Sequence, residues 1–480
     1  MGLLEFILGL FGWGKPRQAP HQAPRQTPSQ NTGQPFQSSA AQHGHPRSSA
    51  DSGAYDSRSP ENRNNNPSPE TRPVRGVTAV TVKRIRGRRR SSYVKLARLR
   101  RVPREAIRTP ISELTVQQPP YPFARMGVLG GYFDLSQDGD SDRLTRLGLP
   151  LFQNPSELAA WLGLPVGRVA WLVHRCEEGQ RPRDVRSAHY HFRWAKKRTG
   201  SYRLIEAPKP MLKAIQRRLL REILDQVPVH SMCQGFVIGR SIRTNAEPHT
   251  GQRVVVKLDL ENFYSTVGHS RVVAIFRSLG YSREAAIWLA GLTTSSIPAN
   301  MDVPDNNLSL LNVYRGRHLP QGAPTSPALA NLSAFSLDLR LAGLSRKFQA
   351  QYTRYADDLT FSGPQRFLYG LPVFLPLVGK IIKAERFRLH PAKRQIRRSN
   401  QQQKVTGVVV NTHVNIDRAE YDRLKALLTN CRRHGAKSQN RDSHDDFAQH
   451  VLGRIGHVKH LNPHKGDKLL GMFRLIDWQS

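Results

Sequence analysis

The sequence predicts an α+β fold in which a small sheet presents acidic residues and amphipathic helices cover it. Three observations lead there. Val254, Val255, Val256 and Leu258 form a short β-branched strand that ends on Asp259. Residues 351–363, QYTRYADDLTFSG, alternate polar and apolar around Asp357 and Asp358, which reads as a β-hairpin with both acids at its turn. Apolar residues recur at helical spacing over 211–224, 367–385 and 419–431.

From the N-terminus, MGLLEFILGLFGWG is apolar but too short to span a bilayer, and it lacks the basic start of a signal peptide. Phe6 breaks the myristoylation pattern, so no stable membrane insertion is expected. Residues 1–75 are dominated by Gln, Ser, Asn, Pro and Arg and read as a disordered extension, because they cannot bury enough apolar area to offset ordering. Thirteen Lys and Arg residues lie between Arg75 and Arg108 against the single acid Glu105. Residues 76–146 therefore read as a nucleic-acid-binding arm and linker that contacts phosphates without reading sequence. Ordered structure is expected from about Leu147, with 147–186 holding two short helices around a Gly/Pro turn.

Residues 191–208 read as a hairpin, with Lys196, Lys197 and Arg198 before a Thr-Gly turn and Arg203 on the returning strand. The 211–224 helix places Leu212, Ile215, Leu219 and Ile223 on one face as core. In HLPQGAPTSPALANL, Gly322 supplies a flexible turn beside Gln321, and Ser326 is placed to cap a helix starting near Pro327. Residues 404–411 read as one strand. Tyr421, Leu424, Leu427, Leu428 and Cys431 form a helical stripe, 434–446 reads as a loop, and further helical segments follow to Trp478.

Lys and Arg total 73 against 36 acids, a net charge of +37 over 480 residues. That excess favours a polyanionic partner, with nucleic acid first. An acidic membrane is the other sink, but it would select charge concentrated in one amphipathic segment. Cys176, Cys233 and Cys431 have no metal-ligand spacing, so neither a zinc site nor a disulfide framework follows, and a reducing cytoplasm is the natural compartment.

Adjacent carboxylates repel unless a cation or proton lies between them. An isolated Asp-Asp pair is more often a solvated turn. Asp259, delivered by a separate strand, changes that balance, because two-metal phosphoryl transfer needs carboxylates converging from different strands. Mg²⁺ takes few protein carboxylates and completes its shell with phosphates and water.

The order of strand-Asp259, LPQGAPTSPALANL and RYADDLTFSG resembles the palm motifs of reverse transcriptases, from about His189 to the C-terminus. The retron type is the nearest resemblance. Residues Asn245 to His249 match its NA-x-x-H signature, and Val405-Thr406-Gly407 matches its VTG signature. The long Arg-rich extension resembles that of myxobacterial members.

The resemblance implies a right-hand polymerase, with fingers and an α/β palm in 187–411 and a helical thumb in 412–480. It implies that Asp259, Asp357 and Asp358 hold two Mg²⁺ ions, with Mn²⁺ as a substitute. Arg203 and then Lys197 become the triphosphate contacts, and Gln321 and Gly322 lie under the nascent base pair. Tyr264 becomes the steric gate against ribonucleotides, with Phe263 the competing choice. Lys393 becomes the general acid for pyrophosphate, with a surface Lys as the plainer reading. Asn245, His249, Val405, Thr406 and Gly407 are expected to serve RNA recognition.

The implied substrates are dNTPs and a cognate structured noncoding RNA. That RNA is template and also primer, through an internal guanosine 2′-hydroxyl. The product would be a branched RNA–DNA hybrid with an anti-phage role, and any effector protein is unidentified. No room is expected after Ser480 for an RNase H or endonuclease domain, which counts against group II intron enzymes. A non-catalytic RNA-binding protein on a polymerase scaffold would be signalled by a lost acid, and all three acids are present.

Overall fold

The computed structural model describes residues 115–128, 130–174, 181–197 and 200–479. Residues 1–75, expected to be disordered, and the basic run of 75–108 lie outside the described residues, as do Cys176, Arg198 and Thr199.

Order begins before Leu147. A two-residue ladder joins β1 (Thr115–Val116) to β2 (Tyr132–Phe133), and α1 (Ser141–Arg146) follows, capped by the Asp140 side chain. Leu144 is buried, and the Asp140 N–H donates to the Gly280 carbonyl at 2.7 Å. Tyr121 is buried too, and Asp138 pairs with Arg277 at 2.7 Å, but these anchors are too scattered along the segment to stand out from the linker composition around them. The two helices expected next are α2 (Pro155–Leu162) and α3 (Val166–Leu172). Asn154 caps α2 through the Glu157 N–H, and Gly163 ends it at a φ of +68°.

The hairpin expected over 191–208 is β3 (Tyr190–Lys196) paired with β4 (Tyr202–Pro208). A small satellite core of Leu204, Ile297 and Tyr314 braces it. Next come α4 (Pro210–Glu222), which buries Leu212, Ile215 and Leu219, and α5 (Ile242–Ala246).

The central sheet comprises β5 (Val254–Asp259), β6 (Gln351–Tyr355), β7 (Asp358–Gly363) and β8 (Gln395–Arg398), in the order β6-β7-β5-β8. Its three pairings are all antiparallel. Strand alternation divides β5 between two cores. Val254, Val256 and Leu258 enter the larger core, and Val255 enters a second one.

The larger core also takes α6 (His269–Leu279), α7 (Arg283–Thr293), α8 (Ser326–Ser333), α9 (Phe335–Lys347) and α10 (Gln365–Ala384). By length and composition α10 could cross a membrane, but its stripe of Phe367, Leu371, Phe374 and Val378 is buried in this core. The second core gathers α11 (Arg418–His434), α12 (Ala436–Gln439), α13 (Phe447–Leu461) and α14 (Pro463–Arg474).

Four local expectations change: 434–446, expected as a loop, holds the short helix α12, and Asp358, expected in the hairpin turn, is the first residue of β7. The single strand over 404–411 is instead a tight hairpin of β9 (Lys404–Val405) and β10 (Val408–Val409), turning at Thr406 and Gly407. Both turn residues have positive φ, +47° and +85°, which suits a two-residue hairpin loop. Ser326 is the first residue of α8 and does not cap it; Thr325 precedes the helix without a side-chain capping bond.

Candidate active site

The register of β5 and β7 sets Asp259 directly opposite Asp358. Paired residues share a sheet face, so both carboxylates project to the same side. Asp357 lies in the two-residue turn between Tyr355 and Asp358, and its carbonyl accepts the Leu260 N–H at 2.9 Å. That bond fastens the turn to the residue after Asp259. Ala356, the first turn residue, has a φ of +54°, a conformation that costs an alanine energy and persists only where its surroundings fix it.

Burial pushes the Asp357 carboxyl up to about 6, and the charges of Asp259 and Asp358 add to the rise. Asp358 is raised by burial as well, with Lys257 opposing and Asp259 reinforcing. Lys257 Nζ stands 3.9 Å from Asp358 Oδ2. Lys393 Nζ donates to both oxygens of Asp259, at 2.9 and 2.8 Å. Among the described residues, no three Asp, Glu, His or Cys side chains already surround a point where an ion would sit. The donor chemistry nevertheless suits a hard divalent cation, since convergent carboxylates raise each other's pKa until positive charge relieves them.

The β3–β4 hairpin brings cations to the same place. The Lys197 ammonium is lowered by burial first and then by Arg203 and Lys393, while Asp259 and Glu261 act against that fall. Lys197, Arg203 and Lys393 therefore share one electrostatic neighbourhood with the acids. The Lys197 N–H donates to the Ser201 carbonyl at 2.7 Å and closes the hairpin tip.

Phe263 is 3% exposed and packs on Phe387 at 5.5 Å between ring centroids. Tyr264 is half-buried, and its hydroxyl pKa is raised by burial and then by the Asp357 charge. Tyr264 thus borders the acids while Phe263 belongs to the core.

Gln321 and Gly322 lie against β4. The Glu206 N–H donates to the Gln321 carbonyl at 3.0 Å, and Gly322 has a φ of +135°. A Cβ on Gly322 would stand 3.0 Å from the Glu206 carbonyl oxygen, so a glycine is required on two counts. Below this contact, Glu206 and His318 form a buried pair at 2.9 Å. Burial opposes the His318 charge, yet Glu206 beside it raises the imidazole pKa overall.

The two signature segments meet. Asn245 Nδ2 donates to Thr406 Oγ1 at 3.3 Å. His249 is hydrogen-bonded to Ser362 Oγ at 2.7 Å and to Thr353 Oγ1 at 2.8 Å. Asn245, His249 and Val405 are all buried, so their side chains hold the β9–β10 hairpin and the sheet together and are closed to RNA. Gly407 is exposed and Thr406 half-buried, which leaves the tip of that hairpin as the accessible part.

Sequence reasoning passed over Arg354, Asp338, Asn331 and Gly235, which surround the Ala356–Asp357 turn from behind. A signal was available for one of them. Alternation along β6 puts Arg354 on the apolar face with Tyr352, opposite Leu359 and Phe361. A charged residue at an apolar strand position implies a buried partner.

Residues 195–410 match the family model described as reverse transcriptase (RNA-dependent DNA polymerase). The chain is 40% identical over 331 residues to the retron Mx65 reverse transcriptase of Myxococcus xanthus, covering 69% of this chain and 73% of that one. It is 36% identical to the retron Mx162 reverse transcriptase of the same organism, covering 70% of each chain. The retron Ec86 reverse transcriptase of Escherichia coli is 32% identical over 60% of this chain and 80% of its own.

Proposed function

The chain belongs to the retron reverse transcriptases and is an RNA-directed DNA polymerase; from that premise we propose that it copies part of a cognate structured noncoding RNA into single-stranded DNA. Synthesis starts from an internal guanosine 2′-hydroxyl and leaves a branched RNA–DNA product. The four-stranded sheet belongs to a polymerase palm. In our reading β3–β4 is the fingers hairpin and α11–α14 form the thumb that grips the RNA–DNA hybrid.

The observation that carries this reading is the pairing of Asp259 opposite Asp358, with Asp357 in the adjoining turn and a cationic hairpin alongside. Asp259, Asp357 and Asp358 would hold two Mg²⁺ ions, or Mn²⁺ in their place, which when bound supply charge stabilisation for attack on the α-phosphate. Lys197 and Arg203 bind the triphosphate of the incoming dNTP and orient it. The side chain of Tyr264 fills the space that a ribonucleotide 2′-hydroxyl would need. The loop at Gln321 and Gly322 supports the nascent base pair. The primer hydroxyl oxygen bonds to the α-phosphorus, its proton passing to water, as the bond to pyrophosphate breaks. Lys393 Nζ, once released from Asp259, gives its proton to the departing pyrophosphate. The setting is the cytoplasm, and the product serves anti-phage defence.

Asp357→Asn tests the site. The variant removes a carboxylate and no phosphate contact, so it should bind RNA like the wild type and incorporate no dNTP on a primed RNA template. Gel-based primer extension reads the one and filter binding the other. Extension at the wild-type rate in Mg²⁺ would refute the assignment.

A further inference from the structure

Arg354 is completely buried, and each of its guanidinium nitrogens is committed. Nε and Nη2 donate to the two oxygens of Asp338 on α9, at 2.8 and 2.7 Å. Nη1 donates to Asn331 Oδ1 at 2.9 Å and to the Ala356 carbonyl at 3.1 Å. The Tyr352 hydroxyl donates to Asp338 Oδ1 at 2.8 Å, which fixes the carboxylate in turn. Asn331 Nδ2 donates to the Gly235 carbonyl at 2.8 Å, and a Cβ on Gly235 would stand 2.8 Å from the Ala356 nitrogen. The guanidinium also lies over the Phe263 ring, 5.6 Å from its centroid.

A buried ion pair adds little net stability compared with an apolar pair of similar volume, so stability alone gives weak reason for this one. One bond of its fork reaches the carbonyl of a strained residue, Ala356, directly before Asp357, and Gly235 lies close against the nitrogen of that same residue. We propose that Arg354 is a positioning residue for the polymerase reaction: its fork holds the Ala356–Asp357 turn in its strained form and so aims the Asp357 carboxylate at the reacting atoms. Asp338 orients the fork, and Asn331 and Gly235 close the turn from behind. The inference rests on the assignment of Asp357 made above.

Two variants test it. Arg354→Lys keeps the charge beside Asp338 but loses the planar fork. The double variant Arg354→Met, Asp338→Leu removes both charges, so neither is left buried alone. Each is compared with the wild type by thermal melting, by Mn²⁺ titration followed by electron paramagnetic resonance, and by steady-state primer extension. For folded variants we expect Mn²⁺ affinity to fall about tenfold. Turnover should fall about a hundredfold while KM for dNTP stays nearly constant, as displacement of a reacting group by about 1 Å would produce. A folded double variant with wild-type Mn²⁺ affinity and turnover would overturn the proposal and reduce the network to packing. Inactivity of the wild type itself on a primed RNA template would instead count against the polymerase assignment, so the two failures are distinguishable.

Discussion

Phe263 and Tyr264 are neighbours with opposite environments, and the difference decides what each can do. The Phe263 ring is enclosed by Phe387 and Arg354, whereas Tyr264 borders Asp357. Tyr264→Val should therefore raise ribonucleotide incorporation relative to dNTP with little loss of fold, measured by competing rNTP and dNTP in single-nucleotide extension. Phe263→Ala should cost about 3–5 kcal/mol of stability, as aromatic truncation in a core does, and leave sugar selection unchanged. Relaxed selection in Phe263→Ala alone would shift the gate by one residue. Asp259, Asp357 and Asp358 were legible in the sequence because strand alternation and turn composition are local signals. The pairs Arg354–Asp338 and Glu206–His318 were not. Their members come from different elements, and in the second pair they stand 112 residues apart, so no local pattern joins them.

The elements named by periodicity appear where expected: the β3–β4 and β6–β7 hairpins, β5, and the helices α4, α10 and α11. The 404–411 segment misled because a run of valines reads as one strand, while Thr406 and Gly407 both adopt positive φ and fold it back. Asn245 and His249, which the resemblance marks for RNA recognition, tie α5 and the turn after it to β6, β7 and the β9–β10 hairpin. Burial lowers the His249 imidazole from 6.5 to about 3. The unfolded chain therefore takes up a proton below pH 6.5 that the folded chain refuses until about pH 3. The stabilising effect is whole above pH 6.5 and declines as pH falls toward 3. Between pH 7 and pH 5 this one group should remove about 2 kcal/mol, at about 1.4 kcal/mol per pH unit. Urea melts of the wild type and His249→Gln at both pH values should show the variant less stable at pH 7 and less sensitive to acid. Equal acid sensitivity would mean that His249 is protonated in the fold.

At the scale of the whole chain, a net charge of +37 sets how the protein meets RNA, and the densest basic run precedes the described residues. Deleting residues 1–108 removes those cations and none of the palm. Affinity should then fall for all RNAs alike, and each lost phosphate contact should flatten the slope of log affinity against log salt by roughly 0.7–0.9. Turnover at saturating template should hold. An unchanged salt slope would mean that the arm does not touch RNA, and lost discrimination between cognate and unrelated RNA would mean that it reads structure. The most direct measurement of the central claim gives the purified chain its own noncoding RNA with dNTPs and Mg²⁺, and no oligonucleotide primer. Priming from the RNA's own 2′-hydroxyl gives a labelled DNA joined to RNA, which debranching enzyme releases as free single-stranded DNA. DNA made only after a primer is added, or a product that debranching enzyme leaves unchanged, would contradict it.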